Sequence, residues 1–106
     1  MRKEYAMERI VTRPQISDMG SGFGYIKINE KTTLKELLDY YKLNTKTWGT
    51  CLIKYKDGEV LRKFDFDIYN NNQFYYNLSW ELNFLVQEAK FEYCFMCEDL
   101  TITLNK

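Results

Sequence analysis

The sequence contains no histidine. That absence removes Ser–His and Cys–His nucleophile pairs and every His-ligated metal site. Net charge is missing as well: 15 basic residues balance 15 acidic ones, so no overall field draws the chain to nucleic acid or an anionic membrane. No apolar run approaches the roughly 18 residues a membrane span needs. Met1-Arg2-Lys3-Glu4-Tyr5 leads into no apolar signal region. Cysteine is scarce and odd in number at 3, which rules out a complete internal disulfide framework. Together these features point to a cytoplasmic protein in a reducing compartment.

What is present is ordinary for a globular chain: 45% apolar, 28% charged and a high 17% aromatic content that suits strands. At 106 residues the expectation is a single domain over 1–106, burying roughly 65% of its unfolded surface without staples. The abundance of Lys, Asn, Tyr, Phe and Ile matches AT-rich codons, which suggests a low-GC bacterium or a phage or other mobile element as the source.

The most legible stretch is 48–68. Asp57-Gly58 lies between two β-rich runs, and both residues tolerate the positive φ of a two-residue hairpin turn. Such a turn pairs Lys56 with Glu59, Tyr55 with Val60, Ile53 with Arg62 and Cys51 with Phe64. One face then carries Cys51, Ile53, Tyr55, Val60, Phe64, Phe66 and Ile68, with Arg62 out of place. The other carries Thr50, Lys54, Lys56, Glu59, Lys63, Asp65 and Asp67, with Trp48, Leu52 and Leu61 among them. A slip of one residue would bury charge, so the register is well specified.

Residues 1–22 read as an arm and a loop, with an edge strand within 3–13 that Pro14 limits. Gly20-x-Gly22-x-Gly24 has a strand after it rather than a helix N-terminus, so it reads as a flexible lead-in to a strand at 23–28 and not as a phosphate cradle. Thr33-x-x-Glu36 is a capping box, and Leu34, Leu37, Leu38 and Tyr41 follow at helical spacing, which predicts a helix over 33–43 with Asn44 as its C-terminal cap. Residues 69–77, rich in asparagine, read as a loop. A second helix is expected over 79–89, capped by Asn77 or Ser79, from Leu78, Leu82, Leu85, Val86 and Ala89, with Trp80 and Phe84 as a second stripe. Phe91, Tyr93, Phe95 and Cys97 alternate, then the phase shifts to Leu100, Ile102 and Leu104. That is a hairpin turning at Glu98-Asp99 or one bulged strand.

The order β-α-β-β-α-β-β predicts an α+β two-layer sandwich: a mainly antiparallel sheet with two helices on one face, on the ferredoxin-like plan, with a β-grasp plan as the alternative.

Three constellations invite chemistry. Cys94-x-x-Cys97 has redox or half-zinc spacing, but i and i+3 on one strand point to opposite faces, so the expectation is inert, buried thiols. Asp65 and Asp67, two apart on an exposed strand face, could hold Mg²⁺ for an enzyme or nucleotide binder, yet no phosphate loop accompanies them. Trp48 with Lys54, Lys56 and Lys63 suits single-stranded nucleic acid, but Glu59, Asp65 and Asp67 share that face and break the basic footprint. No cofactor or metal site is assigned. The favoured function is a non-enzymatic module, an inhibitor or adaptor, that binds another protein or itself. Its candidate anchors are Trp48, Leu52, Leu61, Trp80 and Phe84.

Overall fold

A computed structural model describes residues 7–13, 21–44, 48–66, 78–94 and 97–106. Six strands form one mixed sheet: β1 (Glu8–Arg13), β2 (Ser21–Lys27), β3 (Gly49–Lys54), β4 (Val60–Phe66), β5 (Val86–Cys94) and β6 (Cys97–Leu104). Their spatial order is β1-β2-β5-β6-β3-β4, antiparallel throughout except that β3 runs parallel to β6. Among the described residues a single α-helix, α1 (Leu34–Asn44), covers one face. The protein is therefore mostly β, and neither the ferredoxin-like nor the β-grasp plan describes it.

Helix α1 begins where the capping box places it. The Glu36 amide donates to Thr33 Oγ1 at 3.2 Å and the Thr33 amide donates to Glu36 Oε1 at 3.4 Å. Leu34, Leu37, Leu38 and Tyr41 are all buried, meeting Ile26, Cys51, Ile53, Phe66, Phe91, Leu100, Ile102 and Leu104 from the sheet. Tyr41 stands edge-on to Phe66, with ring centroids 5.4 Å apart. Ile102, fully buried, has Ile53 on one side and Ala89 on the other.

The expected second helix is replaced by one 3-10 turn, Trp80–Asn83, and, after Phe84 and Leu85, by the start of β5. The reason lies in the β5–β6 register, which shifts between Val86 and Glu88. A bulge there puts Val86 and Ala89 on the same buried face at a spacing of three, which imitates one helical turn. Ser79 makes no side-chain cap; its amide instead donates to the Glu81 carboxylate at 3.0 Å.

The 48–68 hairpin keeps its central register, Ile53 opposite Arg62 and Cys51 opposite Phe64, by a different route. The Gly58 amide donates to the Tyr55 carbonyl (3.0 Å) and the Tyr55 amide donates to the Glu59 carbonyl (2.8 Å), so the loop has three residues, with Gly58 at φ 95°. A second irregularity, at Leu61, restores the offset. The correction is local. Val60 becomes exposed instead of joining the core, while Leu61 packs partly against it; Cys51, Ile53 and Phe66 are buried as expected, and Ile68 lies outside the described residues.

Strands β5 and β6 form the hairpin, but not one turning at Glu98-Asp99. Cys94 lies opposite Cys97, so the connection is 95–96, outside the described residues. Glu98 is consequently buried at 3% exposure rather than sitting in a turn. At the other edge β1 forms the expected edge strand on β2. Gly22 and Gly24 are not a flexible lead-in. They lie within β2 on the helix-facing side, opposite Tyr93 and Phe91. A Cβ at Gly24 would run first into the backbone carbonyl of Ile10 on β1 and would also lie 2.7 Å from the Phe91 ring. The glycine thus leaves room for the close approach of the neighbouring strand and of the aromatic side chain. Gly20 and the 69–77 segment lie outside the described residues.

Candidate functional site: the outer sheet face

Alternation along each strand sends one set of side chains to the helix side and the other to a face that no described residue covers. On that outer face the ladder aligns residues in rows. One row runs Phe23, Glu92, Asp99, Thr50, Asp65 from β2 through β5, β6 and β3 to β4. Asp99 is fixed in it by accepting from Thr50 Oγ1 at 2.8 Å and from the Thr50 amide at 3.2 Å. The next row runs Tyr25, Lys90, Thr101, Leu52, Lys63. Beyond the first row, at the end of the sheet, stand Ser21, Cys94, Cys97 and Trp48.

An acidic row thus lies beside a basic one, each ended by an aromatic residue. Phe23 is 43% exposed and Tyr25 41%, large values for rings of that size. Shallow hollows interrupt the face: one of about 660 Å³ is bordered by Trp48, Thr50, Asp65, Cys97 and Asp99, and another of about 350 Å³ lies between Phe23, Lys54, Lys90 and Thr101. The lysines are interleaved with carboxylates, Lys90 lying 3.5 Å from Glu88, so the face offers no continuous track for a phosphate backbone.

The anchors expected from sequence fall into three places. Trp48, 39% exposed, and the half-buried Leu52 belong to the outer face. Leu61 does not; it sits in the bulge against the core. Trp80 and Phe84 lie beside the start of α1, where the Leu34 amide donates to the Phe84 carbonyl at 2.8 Å. Their rings meet edge-on at 5.0 Å, and Lys106 Nζ lies 4.2 Å above Phe84. Trp48 precedes β3, whereas Tyr55, whose ring lies near Phe84, follows it, so about 20 Å of strand separates the two groups. They are not one surface. Phe23 and Tyr25 went unnoticed in the sequence, although the opposite phase of Gly22, Gly24 and Ile26 is the signal for them.

The paired carboxylates do not assemble a metal centre within view: Asp65 is exposed, Asp67 lies outside the described residues, and among the described residues no three Cys, Asp or Glu side chains converge on one point. The thiols differ from expectation. Cys51 alone is buried, and burial pushes its pKa up, so it stays a thiol; Cys94 and Cys97 are exposed.

Behind the outer face lies a buried polar group that the sequence does not announce. Arg9 of β1 reaches over the Phe91 ring, its guanidinium 3.8 Å from the centroid, and donates to both carboxylate oxygens of Glu98, one at 3.0 Å. Tyr41 Oη donates to the same carboxylate at 2.5 Å. Burial disfavours the Arg9 charge, but the hydrogen bonds and charge of Glu98 outweigh it and raise the Arg9 pKa. This triad ties the edge strand and the helix to β6 and carries no exposed reactive group. No family model, curated protein or solved structure matches the chain.

Proposed function

We propose that the protein is a non-enzymatic binding module, an adaptor or inhibitor in kind, and that it engages protein through the face of its sheet that no described residue covers. The observation that carries this reading is the banded face itself, with Phe23, Tyr25, Leu52 and Trp48 set among ordered rows of opposite charge. Aromatic anchors with a polar surround are what protein interfaces select.

The partner this face fits is a second copy. A two-fold axis lying in the interface between the rows, and parallel to them, sets each acidic row over the other copy's basic row. Glu92 then meets Lys90, Asp65 meets Lys63 and Phe23 meets Tyr25, each pair occurring twice, as an isologous contact requires. Strand spacing makes the face roughly 25 Å by 20 Å, so each copy would contribute about 500 Å², below the ~800 Å² per partner of a standard stable interface. The association is accordingly weak and reversible.

Light scattering or sedimentation from micromolar to near-millimolar protein tests it. A concentration-dependent dimer is expected, weakened by Lys63→Glu and restored by Lys63→Glu with Asp65→Lys, because the swap rebuilds the reciprocal pair. A monomer throughout that range would remove the second copy as partner. If, in addition, Phe23→Ala and Lys63→Glu left every interaction recovered from native extract unchanged, the face would not be the binding surface at all.

A further inference from the structure

Cys94 and Cys97 stand directly opposite each other in the β5–β6 ladder. Opposed residues of an antiparallel pair have Cα atoms about 4.5–5.5 Å apart, inside the roughly 4.4–6.8 Å window of disulfides. Both side chains project from the outer face, because their neighbours Tyr93 and Glu98 point to the helix side, and both are exposed. We propose that this pair is a redox site: a dithiol that converts reversibly to an intrachain disulfide by exchange with a low-molecular-weight disulfide such as oxidised glutathione.

The chemistry balances in two displacements. One of the two cysteines, as thiolate, attacks a sulfur of the small disulfide, forming a mixed disulfide and expelling one thiolate that takes up a proton. The opposed cysteine, as thiolate, then attacks the protein-bound sulfur, closing the intrachain bond and expelling the second small thiol. Two protein thiols are oxidised and one small disulfide is reduced to two thiols; no metal or further oxidant is needed. Cys51 cannot compete, being fully buried on the opposite side of the sheet, with its pKa raised by burial.

A disulfide here would close a ring of only a few residues, which constrains the unfolded chain little, so a purely stabilising role is disfavoured. Exposure places it instead among labile, reversible disulfides. Its position gives the change somewhere to register. Cys97 adjoins Trp48 and borders the hollow shared with Asp65 and Asp99, at the end of the banded face. The redox site does not depend on that face binding protein.

The test is equilibration of the full chain in glutathione buffers of increasing oxidised fraction, acid quenching, and mass mapping of free thiols after alkylation. The expected product has lost two hydrogens, carries a Cys94–Cys97 linkage, leaves Cys51 unmodified until the protein is denatured, and returns to the dithiol when reduced glutathione is restored in excess. Cys94→Ser and Cys97→Ser should each accumulate a stable glutathione adduct on the remaining cysteine, at least ten-fold above wild type, since no opposed thiol resolves it. Equal adduct on wild type and single variants, an interchain disulfide, or a bridge involving Cys51 would each overturn the proposal.

Discussion

Replacing Arg9 by methionine removes the charge from a buried ion pair while keeping an unbranched apolar side chain over Phe91. Glu98 is then left 3% exposed with the Tyr41 hydroxyl as donor but without its cation. Breaking a buried pair from one side costs about 3–5 kcal/mol. The Arg9 side chain is 32% exposed, so water already screens part of the interaction and the lower end, about 3 kcal/mol, is expected. In a domain of this size that corresponds to a Tm lower by roughly 12–24 °C. Glu98→Gln should cost less, about 1.5–3 kcal/mol, because the stranded guanidinium sits near the surface and can turn outward. Removing all three polar groups together, Arg9→Met with Tyr41→Phe and Glu98→Leu, should recover most of the loss, since nothing charged or hydrogen-bonding remains to be desolvated. Urea melts of the single and combined variants give these values. An Arg9→Met cost below about 1 kcal/mol, or a triple variant less stable than Arg9→Met alone, would show that desolvation is not what makes the triad matter.

Gly49→Ala should be among the most damaging small substitutions, because its Cβ would lie 1.7 Å from the Glu98 carbonyl oxygen, a backbone atom that cannot step aside; loss of cooperative melting is expected, and a wild-type melt would contradict the β3–β6 approach. Gly58→Val, at φ 95° with open space around it, should cost only the backbone strain of roughly 1–3 kcal/mol, read by the same melts. Ile102→Ala should cost about 2–5 kcal/mol while Lys63→Ala stays within about 0.5 kcal/mol, and comparable losses at the two sites would invert the assignment of faces. Hydrogen bonds from the Ser79 and Glu81 amides hold the Glu81 carboxyl below the usual range, with Arg62 adding to the effect. Its contribution is therefore present above the unfolded pKa and lost as pH falls through the lower folded value; a carboxyl-detected NMR titration giving an ordinary midpoint would remove that capping role.

Local chemistry sufficed wherever a few adjacent residues decide the conformation. The Thr33–Glu36 box starts α1 because two orphan amides need those two side chains, and nothing distant has to agree. Gly58 supplies the positive φ that the β3–β4 loop requires, and alternation sorted Cys51 and Ile53 from Leu52 and Lys63. The placement of Trp48 and Leu52 on the outer face was legible for the same reason.

Tertiary structure decided what depends on pairing. Val86 and Ala89, at the end of the stretch expected to be helical, have a spacing that satisfies a helical turn, and only the ladder to β6, with its bulge, makes them the start of a strand. The β5–β6 register turned Glu98 from an expected turn residue into the buried partner of Arg9, 89 positions away. It also made Cys94 and Cys97 neighbours instead of occupants of opposite faces. Spacing along one chain describes a side chain's direction only while that chain continues; once the strand reverses between two residues, the partner strand sets which side chains meet.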